Sequence, residues 1–132
     1  MATDPITCSV ITPERQVLQT TANSVVFPAH DGLVGILKDR APLLCELGAG
    51  PLRVEGGGGT RELFVDGGFA QVLDNQVTIL TERAIPVEDL TREKAQAALS
   101  DAEKMPASDE AAVTARQKAI DRAKAQIHLA KK

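Results

Sequence analysis

Between residues 6 and 81, apolar and polar side chains alternate in short runs broken by Gly, Pro, Asn and Asp. This period of two is the mark of half-buried strands, and many such runs at close spacing indicate a sandwich or barrel. The predicted strands are 6–11, 16–20, 22–27, 33–37, 43–47, 52–55, 61–65, 69–73 and 76–81. LDNQ at 73–76 predicts a tight hairpin, because Asp74 and Asn75 both tolerate positive φ. Gly67 and Gly68 interrupt a strand, where glycine marks a bulge or a close backbone approach.

Past residue 88 the period becomes helical. A first helix over about 90–105 carries Leu90, Ala95, Ala98, Leu99, Ala102 and Met105. MPASDE then turns the chain: Pro106 stops one helix, and Ser108 is the expected N-cap, with Asp109 and Glu110 in the next first turn. In the second helix, about 109–130, Val113, Ile120 and Ile127 recur every seven residues beside Ala112, Ala119, Ala123 and Ala130.

Composition follows the same division. All ten glycines lie between Gly32 and Gly68, whereas residues 88–132 have no glycine, one proline and twelve alanines. Residues 1–87 carry six basic and ten acidic side chains, and residues 88–132 carry nine and eight. The expected division is a β-unit at 1–87 and a helical hairpin at 88–132, with the boundary near Pro86. A buried large aliphatic side chain contributes about 1.5–3 kcal/mol and a methyl group about 0.8. Alanine-faced helices therefore persist by propensity, while their docking is cheap to undo.

Candidate chemistry is sparse. Three Phe and no Trp or Tyr leave no base-stacking platform, and a net charge of −3 does not track phosphates, so nucleic acid is excluded as a partner. No apolar run approaches the roughly 20 residues that span a bilayer. MATDPITCSV lacks signal- or transit-peptide features, so the protein is expected to stay in the compartment where it is made. Cys8 and Cys45 read as buried reduced thiols in strands, with a disulfide or redox pair as the alternative. His30-Asp31 could pair as base and orienting carboxylate, but Asp31-Gly32 reads better as a turn. EGGGGT at 55–60 joins two strands without a following Lys-Ser/Thr, so it is a hairpin tip and no phosphate loop. His128 lies near a helix end, where it favours the dipole. KDRAPLL at 38–44 is either a solvated turn or a contact surface for another protein.

In order along the chain, VVFPAHDGLVGILKDRAPLL, GPLRV and LFVDGGFAQVLDNQVTILTERAI, followed by a charged, Ala-rich helical pair, resemble the epsilon subunits of bacterial F-type ATP synthases. The resemblance implies an all-β flattened sandwich of about ten strands followed by a C-terminal antiparallel α-helical hairpin. It implies a non-catalytic subunit of the central rotor stalk, without cofactor or metal. The sandwich would bind the gamma subunit and the c-ring and couple ion flow to ATP synthesis. The hairpin would fold beside the sandwich or reach toward the alpha and beta subunits and inhibit ATP hydrolysis. Such a chain would be peripheral to the cytoplasmic side of the bacterial inner membrane, reaching the membrane only through the complex.

Carried onto this chain, the resemblance assigns c-ring contact to Asp31, Gly32 and Leu33, and neighbouring contact to Lys38, Arg40 and Pro42. Arg40 stands where the family has histidine, and Leu33 where glutamate often occurs. An ATP-binding pattern known in some members is degenerate at Leu90, Lys94, Ala95, Lys118 and Arg122. Thr91 replaces its aspartate, and Lys94 and Lys118 replace arginines. Lysine cannot form the planar bidentate fork of arginine, so any ATP binding is expected to be weak. A free-standing β-sandwich ligand-binding module would need converging polar groups in a pocket, which the sequence does not offer. An adaptor with a coiled-coil tail would explain Val113, Ile120 and Ile127 but leave the β-motifs unexplained.

Overall fold

The computed structural model describes residues 6–29, 32–56 and 59–130. The strands are β1 (Ile6–Ile11), β2 (Gln16–Ala22), β3 (Ser24–Ala29), β4 (Gly32–Ile36), β5 (Leu43–Glu46), β6 (Ala49–Gly56), β7 (Gly59–Asp66), β8 (Phe69–Leu73), β9 (Gln76–Leu80) and β10 (Ala84–Pro86). One sheet has the order β2-β1-β9-β8-β5 and the other β10-β7-β6-β3-β4. Their facing sides bury Ile6, Cys8, Val10, Val72, Val77 and Ile79 from the first sheet with Val25, Phe27, Ile36, Leu52, Val54 and Val65 from the second. In β1, β6, β8 and β9 the alternation predicted from sequence marks which side meets the other sheet, whereas β7 buries Leu63, Phe64 and Val65 in succession.

The chain divides into two compact units, Met1–Ile85 and Pro86–Lys132. In the first, β1 pairs antiparallel with β2, and β8 with β9, whereas β1 runs parallel to β9, with Cys8 opposite Val77 and Val10 opposite Ile79. The β3–β6 ladder ends after Val26 meets Arg53. Two positions further along this register Pro28 would face Pro51. Prolines have no N–H to give, so a ladder stops where two of them would meet. Past that point β3 pairs with β4, Ala29 makes an isolated antiparallel bridge to Leu47, and Pro28 O accepts from Gly48 N at 2.9 Å.

The turn at Asp74 (φ 50°) and Asn75 (φ 62°) joins β8 to β9 as LDNQ predicts. Gly67 and Gly68 separate β7 from β8, both at positive φ (72° and 99°). A Cβ on Gly68 would fall on Leu80 O and lie 2.9 Å from Thr81 Cα, whereas one on Gly67 would meet nothing within 4 Å. Close approach is therefore the reason for glycine at 68. Strand β10 was not among the sequence-predicted runs; its three residues are too few to alternate.

In the second unit a 3-10 turn at Val87–Asp89 precedes helix α1 (Arg92–Glu103) and helix α2 (Glu110–Leu129). Thr91 caps α1, its Oγ1 accepting from Lys94 N at 3.3 Å, so Leu90 stands outside the helix. Asp109, rather than the expected Ser108, caps α2: its carboxylate accepts from Ala112 N at 2.7 Å. Asp and Ser are comparable caps, and it is Asp109 that takes the extended N-cap conformation (φ −146°, ψ 178°). Val113 is 49 % exposed, so the seven-residue spacing overstates the buried stripe; along α2, Ile120 and Ala123 are buried. α1 buries Ala95 and Ala102.

Cys8 and Cys45 are free thiols. Burial pushes the Cys8 thiol from 9.0 up to about 12. An unfolded Cys8 would ionise near its ordinary value while the folded one keeps its proton. Stability from this difference is complete below pH 9 and is lost as pH rises from 9 toward 12. In denaturation series over that window, wild type should lose up to about 1.4 kcal/mol per pH unit more than Cys8→Ala. Gly68→Ala should cost about 3 kcal/mol in chemical denaturation, from unfavourable φ and the clash together, and Gly67→Ala only about 1. Equal losses would contradict the close-approach reading.

Candidate functional site

Strand β4 is an edge of one sheet and β5 an edge of the other, so residues 37–42 carry the chain between them. Val34, Ile36, Leu43 and Cys45 face the core. The intervening positions therefore point outward: Leu33 is 64 % exposed, Leu37 66 % and Leu44 71 %. Lys38, Asp39, Arg40, Ala41 and Pro42 are all exposed. Two cationic side chains thus stand between exposed leucines, with Pro42 restricting the re-entry into β5. A surface of this kind, apolar with a charged centre, suits protein contact more than catalysis.

The loop is braced at its middle. Asp39, at φ 64°, donates its N–H to Asn75 Oδ1 at 2.7 Å, and Asn75 Nδ2 donates to Asp39 Oδ1 at 3.3 Å. Asn75 O in turn accepts from Thr7 N at 2.9 Å. Sequence reading missed this brace, because its partners are 36 positions apart and each is an ordinary turn residue.

Asp31, with His30, lies outside the described residues. Gly32 and Leu33 pair with Ala29 and Pro28, whereas Ile36 pairs with Val25 at the other end of β4. The contact residues assigned by resemblance thus form two groups: Gly32 and Leu33 at one end of β4, and Lys38, Arg40 and Pro42 beyond the other. The rest of β4 (Val34, Gly35 and Ile36) and Leu37 lie between them, a span of roughly 17 Å from Leu33 to Lys38 if fully extended.

The helical candidates differ in environment. Leu90 and Ala95 are buried, Lys94 and Lys118 exposed and Arg122 half-buried. Lys118 lines a shallow depression with Asp109, Glu110, Ala111, Thr114 and Ala115, a lining that includes none of the other four. Arg116 Nη2 donates to Glu103 O at 3.2 Å, which sets the end of α1 beside the first half of α2. Lys94, near the start of α1, is therefore nearer Arg122 than Lys118 along the pair.

Among the described residues, no three His, Cys, Asp or Glu side chains cluster to hold a metal, and no buried side-chain N or O lacks a hydrogen-bond partner. Among the described residues, no helix is long and apolar enough to cross a membrane. His128 is exposed in the last turn of α2. The raised Cys8 thiol is the opposite of an activated nucleophile.

Residues 5–87 match the family model described as the ATP synthase, delta/epsilon chain, beta-sandwich domain. The chain is 43% identical to an ATP synthase epsilon chain of Rhodopirellula baltica over 122 residues, 92% of this chain and 95% of that one. It is 37% identical to an ATP synthase epsilon chain of Leptospira interrogans over 109 residues, covering 83% and 86% of the two chains. Among solved structures, it resembles a chain of the Euglena gracilis mitochondrial ATP synthase OSCP/F1/c-ring assembly. There the TM-score is 0.80 at 26% identity, over 94% of this chain and 80% of that one.

Proposed function

The chain belongs to the ATP synthase delta/epsilon chain family, and from that premise we propose how its two units divide the work of a non-catalytic central-stalk subunit. The sandwich docks on the gamma subunit and the c-ring; Lys38, Arg40 and Pro42 form one contact and Gly32 and Leu33, with Asp31, the contact with the ring. The observation that carries this reading is the exposed, cross-braced loop between the two sheets, flanked by Leu37 and Leu44. Ion translocation turns the ring, and the close-packed sandwich transmits the rotation as a stiff body. The two groups of contact residues, with the second half of β4 between them, give the sandwich two points of purchase, which resist tilting better than one.

Residues 88–132 act as the regulatory unit, engaging the alpha and beta subunits to inhibit ATP hydrolysis. Between α1 and α2 the buried side chains are small apart from Ile120. A switch needs two arrangements of similar free energy, and thin apolar burial keeps that difference small. Through the complex the protein sits peripherally on the cytoplasmic side of a bacterial inner membrane.

Reconstitution tests the division. A chain lacking residues 88–132 should assemble with gamma and the c-ring and support ATP synthesis, while ATP hydrolysis rises. Failure to assemble would refute the division of labour. Calorimetry on the full chain should detect ATP only above micromolar concentration, since Lys94 and Lys118 leave Arg122 as the single guanidinium of the pattern. Micromolar affinity would overturn the weak-site reading.

A further inference from the structure

We propose that Asn75 is a positioning residue for partner docking: it holds the 37–42 loop in the conformation that presents Lys38 and Arg40. The inference rests on the reading of that loop as a contact surface. Its grounds are geometric. Six exposed residues cross between two sheet edges, and a crossing of this kind would ordinarily sample several conformations. Asp39 sits at its centre with φ 64°, a left-handed conformation that a short polar side chain tolerates. The Asn75 amide engages both groups that Asp39 offers, accepting from its N–H and donating to its carboxylate.

Asn75 is itself fixed. It is the second residue of the β8–β9 turn, at φ 62°, and its carbonyl accepts from Thr7 N in β1. Strands β1, β9 and β8 are the middle of their sheet. The loop is thereby referenced to the central strands of one sheet through one side chain. Lys38 and Arg40 flank Asp39, so clamping the central residue restricts the backbone of both. Restricting a loop before it binds removes part of the ordering cost that binding would otherwise carry.

The test uses the full chain and a rotor subcomplex of gamma and c-ring lacking it, with affinity measured at fixed salt. Asn75→Gly keeps the positive φ and removes only the amide, so the turn is retained. Lys38→Ala/Arg40→Ala should weaken binding at least tenfold. Asn75→Gly should weaken it three- to tenfold, but by less than twofold in the Lys38→Ala/Arg40→Ala background. The exchange Asp39→Asn/Asn75→Asp, which preserves both hydrogen bonds and the net charge, should bind within twofold of wild type. Wild-type affinity for Asn75→Gly beside a weakened Lys38→Ala/Arg40→Ala variant would overturn the proposal and leave the docking surface standing. Undiminished binding by Lys38→Ala/Arg40→Ala would remove the docking reading and this inference with it. An Asn75→Gly loss that persists in full without the two cations, or that the exchange does not restore, would show a general structural role and overturn the proposal.

Discussion

Burial of Phe27, Ile36, Leu52 and Val54 against Cys8, Val10, Val72 and Ile79 joins the two sheets, and the surface chemistry depends on it. A strand slipped by one residue would turn every inward side chain outward, so the shared core fixes register throughout the sandwich. Register then decides which residues reach solvent. Because Val34 and Ile36 face inward, Leu33 and Leu37 cannot; because Leu43 and Cys45 face inward, Leu44 cannot. The exposed leucines around the loop are a consequence of core packing, held in place by the same interaction that folds the domain.

The units differ in what holds them. The sandwich core contains Phe27 and a layer of Ile, Leu and Val, each contributing about 1.5–3 kcal/mol when fully buried. Within the helical pair, α1 buries only Ala95 and Ala102, and α2 Ile120 and Ala123. Helix propensity and the caps at Thr91 and Asp109 supply much of what keeps these helices formed. One unit is therefore suited to carrying load and the other to changing state, which is the combination a regulated rotor subunit requires.

How far the sequence reveals this varies with the range of the interaction. Nine strands, the Asp74-Asn75 turn and the glycine at 68 are visible because alternation and turn chemistry are local. The parallel pairing of β1 with β9 leaves no local trace, nor does the register that would bring Pro28 opposite Pro51 and beyond which the β3–β6 ladder does not continue. Choosing between Ser108 and Asp109 as cap needed geometry, since both are good caps. The order of motifs identified the family and the segment from 31 to 42. It assigned Asp31, Gly32 and Leu33 to one contact and Lys38, Arg40 and Pro42 to a neighbouring one, and β4 runs between the residues described from each group. The Asp39–Asn75 brace, between positions 36 apart, became visible only in three dimensions.

Native-state hydrogen exchange on the full chain tests the unequal stability of the units most directly. Amides of β1, β8 and β9 should exchange only through global unfolding, and those of α1 and α2 through openings of clearly lower free energy. A single protection level shared by both units would contradict the account.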